Sequence, residues 1–162
     1  MQSYPNSSWK YTVPKLSSFE ERQADMAARL KAAGHKLTPQ RLAILKVLAA
    51  SEGHPSAEQV HARLQPEHPS MSLATVYKTI ALLKQAGEVL ELQFSDRDNR
   101  YDGHRPDPHP HLICTACGAI VDPDLPGLDN LAEELSRRTG FAVSSHRLDF
   151  YGLCPVCRAK QS

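Results

Sequence analysis

The four cysteines of the chain form two Cys-x-x-Cys pairs, Cys114 with Cys117 and Cys154 with Cys157. Four thiolates are a common ligand set for a tetrahedral structural zinc ion, which has no open coordination position. A redox dithiol, which needs one such pair at a helix start, and a set of free structural cysteines are the alternatives. We predict structural zinc, which would contribute directly to folding.

Two histidines in the stretch HPHLICTACG indicate a second, different site. His109 and His111 alternate along a predicted strand, so both side chains point to one face. Together with carboxylates they would form a nitrogen and oxygen site suited to Fe(II), Mn(II) or Zn(II). The candidate partners are Asp102, Asp122 and, from the first half of the chain, His54. A chance His-x-His in a proline-rich loop is the alternative.

The elements that must position these residues begin with four short helices. Each is preceded by a hydroxyl side chain that can accept a hydrogen bond from the first turn. The predicted N-caps are Ser18 with Glu21, Thr38, Ser56 with Gln59, and Ser72. Glycines 34 and 87 end the first and fourth helices. The predicted buried stripes are Met26, Leu30 and Ala33 in the first helix and Val76, Ile80 and Leu83 in the fourth.

A two-stranded hairpin is predicted after the fourth helix, because EVLELQF and NRYD alternate in polarity. Helices followed by a hairpin are the layout of a winged helix-turn-helix, whose recognition helix enters the major groove by its N-terminal turns. The early positions of the fourth helix that are predicted to face DNA are Ser72, Thr75, Tyr77, Lys78 and Thr79. Arg41 in the second helix is a further DNA-binding candidate. A small helical bundle without a DNA role is the alternative.

Charge and cysteine content both change near residue 95. Up to that point eleven Lys and Arg accompany eight Asp and Glu, whereas eight accompany ten from residue 96 onward, where all four cysteines lie. The first part is therefore mildly basic, which is compatible with nucleic-acid binding. We predict a flexible arm over residues 1–17, a DNA-binding domain over 18–95 and a zinc-stabilised domain over 96–162.

The second domain is predicted to contain a strand in AIVDP, a helix in GLDNLAEELSRRTG and a strand in FAVSSHRLDFYG. These elements could bring the two cysteine pairs side by side. No apolar run of the sequence is long enough to cross a bilayer, and the first residues lack the apolar core of a signal peptide. We therefore expect a cytoplasmic protein, whose reducing surroundings disfavour two structural disulfides.

The sequence resembles the ferric uptake regulator (Fur) family of bacterial metal-dependent repressors. The matching stretches are LTPQRLAIL, GHPSAEQV, SLATVYKTIALLKQAGEV, RYD, HPHLICTACGAIVD and SSHRLDFYGLCPVC, in family order. The resemblance implies an α+β fold, in which a winged-helix DNA-binding domain precedes an α/β dimerisation domain with a structural zinc site. It also implies a homodimer that represses transcription at operator DNA.

Two metal sites are implied by this resemblance. A regulatory Fe(II) or Mn(II) ion would be held by His54, Asp102, His109, His111 and Asp122, and the structural zinc ion by the four cysteines. The aspartate at position 122 is similar to the peroxide-responsive (PerR-type) branch, since classical iron-uptake repressors usually have glutamate there. Asp102 disfavours the zinc-uptake branch.

A third metal site, which many relatives carry, stays an open question at this point. Asp129 and His146 could serve as its ligands, but Pro108 and Pro110 occupy positions where ligands are expected.

The hypothesis for function is a metal-dependent repressor that senses hydrogen peroxide when bound Fe(II) promotes oxidation of His54 or His109. An iron-responsive repressor is the first alternative, followed by a zinc- or manganese-responsive one. Two histidines and a carboxylate also form the triad of non-haem iron oxygenases. Five protein ligands leave little room for a co-substrate, however, so we do not expect an enzyme. A zinc-stabilised module that binds only proteins is the remaining alternative.

Overall fold

A computed structural model of the chain describes residues 18–51, 53–94, 97–123 and 130–160. The arm predicted over residues 1–17 lies outside the described residues. Helices fill the first part of the described chain, and a small sheet with two further helices fills the second. The α+β class predicted from the sequence is confirmed.

The four predicted helices are α1 (Phe19–Ala32), α2 (Pro39–Ala49), α3 (Ala57–Leu64) and α4 (Leu73–Gln85). All four predicted N-caps are confirmed, because each hydroxyl accepts a hydrogen bond from the backbone N–H three residues ahead, over 3.2 to 3.3 Å. Ser18 and Ser56 form complete capping boxes with Glu21 and Gln59. The helices begin where they do because these hydroxyls satisfy donors that the first turn leaves unpaired.

The main core lies between these helices and contains the predicted stripes, Met26 and Leu30 in α1 and Val76, Ile80 and Leu83 in α4. Two predictions were wrong: that Ala33 is buried in α1, and that Thr79 faces DNA on α4. Ala33 is exposed because α1 ends one residue earlier and leaves it as the C-cap. Thr79 is buried, on the side of α4 that faces the core, with its hydroxyl donating to the carbonyl of Thr75.

The predicted hairpin consists of β1 (Leu90–Leu92) and β2 (Arg100–Asp102), which pair antiparallel with Glu91 opposite Tyr101. Tyr101 is buried in the main core, whereas Leu92 packs with Ile113 and Ile120 in a second, smaller core. The hairpin therefore contacts both parts of the described chain.

The second part contains β3 (Pro110–Cys114), β4 (Ile120–Val121), α5 (Leu131–Thr139), β5 (Leu148–Gly152) and α6 (Pro155–Ala159). Its sheet has the order β4-β3-β5, with β3 antiparallel to β4 and parallel to β5. Helix α6 was not predicted, since it spans only five residues. No helix in the described parts of the chain is long and apolar enough to cross a membrane.

The strand predicted over residues 141–152 is confirmed only in its second half. The pairing of β5 with β3 begins at Leu148 opposite Pro110, the first residue of β3, and continuing it backwards would align His146 with Pro108. Proline has no N–H to donate to a ladder, so the pairing ends there.

Candidate metal centre

The four cysteines converge at one end of the sheet. Their sulfur atoms all lie within 4.8 Å of one another, although the two pairs are far apart in sequence. The parallel pairing of β3 with β5 accounts for this, because it places Cys114 opposite Gly152, two residues before Cys154. We call these four residues the cysteine cluster.

The cysteine cluster contains no disulfide, since all four thiols are free and the Sγ atoms of Cys117 and Cys154 are 3.8 Å apart. Backbone N–H groups of Cys154 and Cys117 lower the pKa of the Cys114 thiol to about 6. Hydrogen bonds with Cys154 and Cys117 raise the pKa of Cys157 to about 12. Sulfur atoms so close together cannot all ionise without a compensating cation. Four thiolates around a divalent soft ion are the arrangement of structural zinc.

The histidines and carboxylates form a separate cluster, the histidine site, made of His54, Asp102, His109, His111 and Asp122. The Nε2 atom of His54 lies 3.4 Å from Asp102 Oδ2 and 3.3 Å from Asp122 Oδ1. The Nε2 atom of His109 lies 3.3 Å from Asp102 Oδ2 and 3.5 Å from Asp122 Oδ2. His111 Nε2 is 3.9 Å from Asp122 Oδ1. The structure thus brings together all five residues singled out from the sequence.

The histidine site has the donor set and burial that a divalent ion requires. The side chains of Asp102 and the three histidines are each 1% exposed, and Asp122 is 20% exposed. Its inward-facing atoms have no hydrogen-bond partner: His54 Nε2, His109 Nε2, His111 Nε2, Asp102 Oδ2 and Asp122 Oδ1. Buried polar atoms without partners are costly. A metal ion bound among them would remove that cost, so the residues fit such an ion.

His54 reaches the site from the loop before α3 in an uncommon backbone conformation, with φ of +49°. The guanidinium of Arg100 donates to the carbonyl oxygens of His54 and Gly53, and the N–H of Tyr101 donates to the carbonyl of Pro55 over 3.0 Å. Strand β2 therefore holds the loop that carries His54. Strained residues of this kind persist only where the surrounding structure fixes them.

Asp102, the last residue of β2, is held by its other oxygen. Its Oδ1 accepts hydrogen bonds from the N–H groups of His104 and Arg105 over 2.8 and 2.9 Å, which leaves Oδ2 facing the histidines. Burial disfavours its charge, yet the nearby His54 ring and the backbone N–H of Arg105 keep the pKa of Asp102 below its usual value. The carboxylate is thus ionised at neutral pH, as a metal ligand must be.

His109 and His111 are also oriented from behind. The Nδ1–H of His109 donates to the carbonyl of Asp107 over 2.8 Å, and that of His111 lies 3.3 Å from Oδ1 of Asp149. Burial opposes protonation of both rings, but the Asp122 carboxylate raises the pKa of His109 above its usual value. Burial together with the nearby His109 and His54 rings lowers the pKa of His111.

Sequence reasoning missed Arg100 and Asp149, the two residues that position His54 and His111. Arg100 lies two residues before the candidate ligand Asp102, in RYD, and Asp149 lies in the predicted strand FAVSSHRLDFYG. The sequence offered no signal that distinguished either residue from an ordinary surface charge. Only the pairing of β3 with β5 places Asp149 opposite His111.

Most of the predicted DNA-contacting side chains lie on the exposed part of α4. Ser72 and Lys78 are exposed, Thr75 is half-buried, and Tyr77 is 44% exposed with its hydroxyl donating to Glu58. Thr79 is not among them because it is buried. Arg41 in α2 is half-buried, and its guanidinium donates to the carbonyl of Lys36.

The third metal site raised in the sequence analysis gains no support. His146 is half-buried in the segment that leads into β5, and Asp129 lies outside the described residues. Within the described ranges, three or more close His, Cys, Asp or Glu side chains occur in two groups. These are the cysteine cluster and four residues of the histidine site, His54, Asp102, His109 and His111.

The chain is similar to known proteins over most of its length. The model of the ferric uptake regulator family matches residues 32–151. The peroxide operon regulator of Bacillus subtilis is 43% identical over 82% of this chain and 91% of its own length. The peroxide-responsive repressor PerR of Staphylococcus saprophyticus is 39% identical over 90% of this chain and 98% of its own.

Among solved structures, the ferric uptake regulator of Pseudomonas aeruginosa with manganese superposes with a TM-score of 0.68 at 27% identity, covering 80% of this chain and 98% of that one. The family model spans most of the chain, and the relatives match over most of their lengths. The chain therefore belongs to the ferric uptake regulator family, as its motifs predicted.

Proposed function

We propose that the protein is a metal-dependent transcriptional repressor that binds operator DNA as a homodimer and senses hydrogen peroxide by oxidation of a histidine ligand. The observation that carries this proposal is the set of buried, unpartnered ligand atoms in the histidine site. His54 precedes α3 of the helical part, whereas His111 lies in β3, His109 directly precedes β3 and Asp122 directly follows β4. One ion held by these residues would fix the helices relative to the sheet.

The five residues of the histidine site would hold Fe(II) or Mn(II), and the four thiolates of the cysteine cluster would hold structural zinc. Nitrogen and oxygen donors suit the first two ions, and sulfur donors suit the third. If the helices match two operator half-sites of DNA only when the ion fixes them relative to the sheet, bound metal raises the affinity of the protein for DNA. Bound DNA then raises its affinity for metal by the same factor. A coupling of about 1 to 3 kcal/mol would change DNA affinity by roughly 5- to 150-fold.

Bound Fe(II) would supply the one-electron chemistry that activates peroxide. The O–O bond of peroxide would break, one oxygen would replace hydrogen on a ring carbon of His54 or His109, and the other oxygen would leave as water with that hydrogen. Both rings point Nε2 into the site, so either could receive the oxygen. An oxidised imidazole is a weaker donor, and the helices and the sheet would then no longer be held together.

DNA would be bound by α4, whose N-terminal turns present the hydroxyls of Ser72 and Thr75, the ring of Tyr77 and the ammonium of Lys78. Helix and hairpin follow the order of a winged helix-turn-helix. Arg41 would add a contact from α2. We place the boundary between this DNA-binding domain and the dimerisation domain near residue 95.

A homodimer would be formed through the outer face of the three-stranded sheet. Leu112 of β3 is paired with Val121 of β4 and with Phe150 of β5, and these three side chains are 47%, 57% and 42% exposed. Apolar side chains that share one exposed face are typical of an interaction surface. A second copy of the chain would cover it.

The peroxide signal is supported by the two relatives named above, which are called a peroxide operon regulator and a peroxide-responsive repressor. An iron-responsive repressor is the second candidate, favoured by the likeness to the manganese-loaded ferric uptake regulator. We do not propose an enzyme, because five protein ligands would leave little room for a co-substrate at the histidine site. Such a repressor would act in the cytoplasm, where its operator is.

The test is to load the anaerobic full-length protein with Fe(II), add stoichiometric peroxide briefly and analyse the peptides by mass spectrometry. We expect one added oxygen on the peptide with His54 or with His109. The same protein loaded with Mn(II) is the control and should stay unmodified. Unmodified histidines in the iron-loaded protein, with operator binding that still depends on iron, would instead identify the iron-responsive repressor.

A further inference from the structure

Asp149 lies directly behind one ring of the histidine site. In the parallel pairing of β3 with β5, Asp149 is the partner of His111, and paired residues place their side chains on the same face of a sheet. The Oδ1 atom of Asp149 is 3.3 Å from Nδ1 of His111. The opposite ring atom, Nε2, faces Asp122 and has no hydrogen-bond partner.

Asp149 is itself held in this orientation. Its side chain is 9% exposed, and its second oxygen, Oδ2, accepts a hydrogen bond from the guanidinium of Arg147 over 2.5 Å. The hydroxyl of Tyr151 lies 3.4 Å from the same oxygen. Arg147, Asp149 and Tyr151 alternate along the chain, so the three side chains share one face of the β5 segment. The arrangement leaves Oδ1 for His111.

We propose that Asp149 is a positioning residue for the regulatory metal, acting through His111. An ionised carboxylate can only accept, so it selects the His111 tautomer with the proton on Nδ1 and the lone pair on Nε2. This fixes the ring plane, increases the basicity of Nε2, and prepares the atom that binds the ion. The inference rests on the proposed function. It assigns a role to Asp149, which contacts His111 but is not one of the five proposed metal ligands.

The contact between Asp149 and His111 joins the histidine site to β5, one of the strands of the sheet's exposed apolar face. Phe150 follows Asp149 on the opposite face of β5, and Cys154 of the cysteine cluster lies five residues beyond Asp149. Ordering of His111 by a bound ion would therefore also order the strand that we assign to the dimer interface. Asp149 thus links regulatory metal to strand β5.

The first test measures the affinity of the zinc-loaded full-length protein for Mn(II), by the electron paramagnetic resonance signal of the free ion. We expect Asp149→Ala to weaken Mn(II) binding by about 10- to 100-fold, the range found for residues that orient metal ligands. Asp149→Asn keeps an acceptor oxygen but loses the charge, so its effect should be smaller. Glu133→Gln, an exposed residue of α5, is the control for the loss of one negative charge.

The second test reads the His111 tautomer directly, in the metal-free protein, from the nitrogen chemical shifts of the ring. We expect the wild type to show the Nδ1–H form and Asp149→Ala to shift the population toward Nε2–H. A merely structural role of Asp149 would leave the tautomer unchanged. An Nε2–H ring in the wild type would overturn the proposal.

A double-mutant cycle with His111→Gln completes the test. If Asp149 acts through His111, Asp149→Ala has little further effect on Mn(II) affinity once His111 is replaced. An equal loss in both backgrounds would show that Asp149 acts by another route. Failure of the proposed function is distinguishable, because then His54→Ala would leave Mn(II) affinity unchanged. If His54→Ala abolishes binding while Asp149→Ala does not alter it, only the role of Asp149 is wrong.

Discussion

The guanidinium of Arg100 donates hydrogen bonds to the carbonyl oxygens of His54 and Gly53, although Arg100 lies 46 positions after His54 in the chain. This contact holds His54 at a positive φ that a histidine rarely adopts. Arg100 stands on β2, two residues before Asp102. One short strand thus carries one proposed metal ligand, Asp102, and also fixes the loop that carries a second, His54.

Replacing Arg100 should therefore weaken metal binding without unfolding the helices. Without the guanidinium, His54 can relax to an ordinary φ, since such strain costs about 1 to 3 kcal/mol. We expect Arg100→Ala to lower the affinity for Mn(II), measured by titration, by about tenfold or more. The helical circular dichroism signal should stay unchanged. Arg100→Lys keeps the charge but lacks the planar fork, so it should resemble the alanine variant. A lysine variant with wild-type affinity would show that charge alone matters.

Gly103 allows the chain to pass close to the main core directly after Asp102. A Cβ atom at this position would lie 2.8 Å from Cβ of Leu48 and 2.9 Å from Cε of Met26. We expect Gly103→Ala to lower the free energy of unfolding by about 1 to 3 kcal/mol in urea, as overpacking does. Gly53→Ala is the matched control, because a Cβ there meets nothing within 4 Å. Equal stability of both variants would contradict this.

Local signals in the sequence were sufficient to predict where the four helices begin and which residue types are candidate metal ligands. The N-caps Ser18, Thr38, Ser56 and Ser72 are read from hydroxyls at fixed offsets, and each is a contact over three residues. The candidate ligands are read from their chemistry alone. The N-caps are confirmed, and the structure brings the candidate ligands together, but their binding of a metal ion stays a prediction.

Residues that hold the ligands could not be predicted, because their partners are distant in sequence. Arg100 is identified only by its contact with the His54 loop, and Asp149 only by the register of β5 against β3. Thr79 was assigned to the wrong side of α4. The sequence alone does not distinguish a threonine that faces solvent from a buried one whose hydroxyl donates to a carbonyl one turn earlier in the helix. Tertiary contact decides such positions.

The buried ion pair of Arg22 with Glu88 ties α1 to the hairpin. Arg22 donates to a Glu88 carboxylate oxygen over 2.5 Å and to the carbonyls of Glu88 and Gly103 over 2.6 and 2.9 Å. Because removal of Arg22 leaves the buried Glu88 carboxylate with only a largely exposed cation beside it, we expect Arg22→Ala to lower the free energy of unfolding by about 3 kcal/mol. Arg29 binds the same carboxylate, but its side chain is 68% exposed.

Arg29→Ala is therefore the control, with an expected loss below about 1 kcal/mol. Both variants are compared by urea denaturation with the same signal. Similar losses for Arg22→Ala and Arg29→Ala would show that burial does not determine the strength of this contact.

The proposed use of α4 in DNA binding predicts different effects for two lysines of the same helix. Lys78 is exposed on the N-terminal half, whereas Lys84 lies in the last turn and pairs with Glu91. Loss of one phosphate contact lowers the slope of log affinity against log salt by about 1. We expect this for Lys78→Ala and no change of slope for Lys84→Ala, in fluorescence anisotropy on duplex DNA. Unchanged slopes in both variants would remove Lys78 from the DNA interface.

Removal of the zinc ion that we propose for the cysteine cluster should unfold the sheet while the helices stay folded. Among the described residues, the main core holds fifteen buried hydrophobic side chains and the second core holds three. So small a core cannot hold the sheet by itself, and the ion that fits the cysteine cluster would supply the missing stability. We expect Cys117→Ser to speed hydrogen exchange in residues 97–160 and to leave α1 to α4 protected. Asp122→Asn, which alters the histidine site and leaves the thiolates intact, should not have this effect. Equal exchange rates in the two variants would mean that the cysteine cluster does not stabilise the sheet.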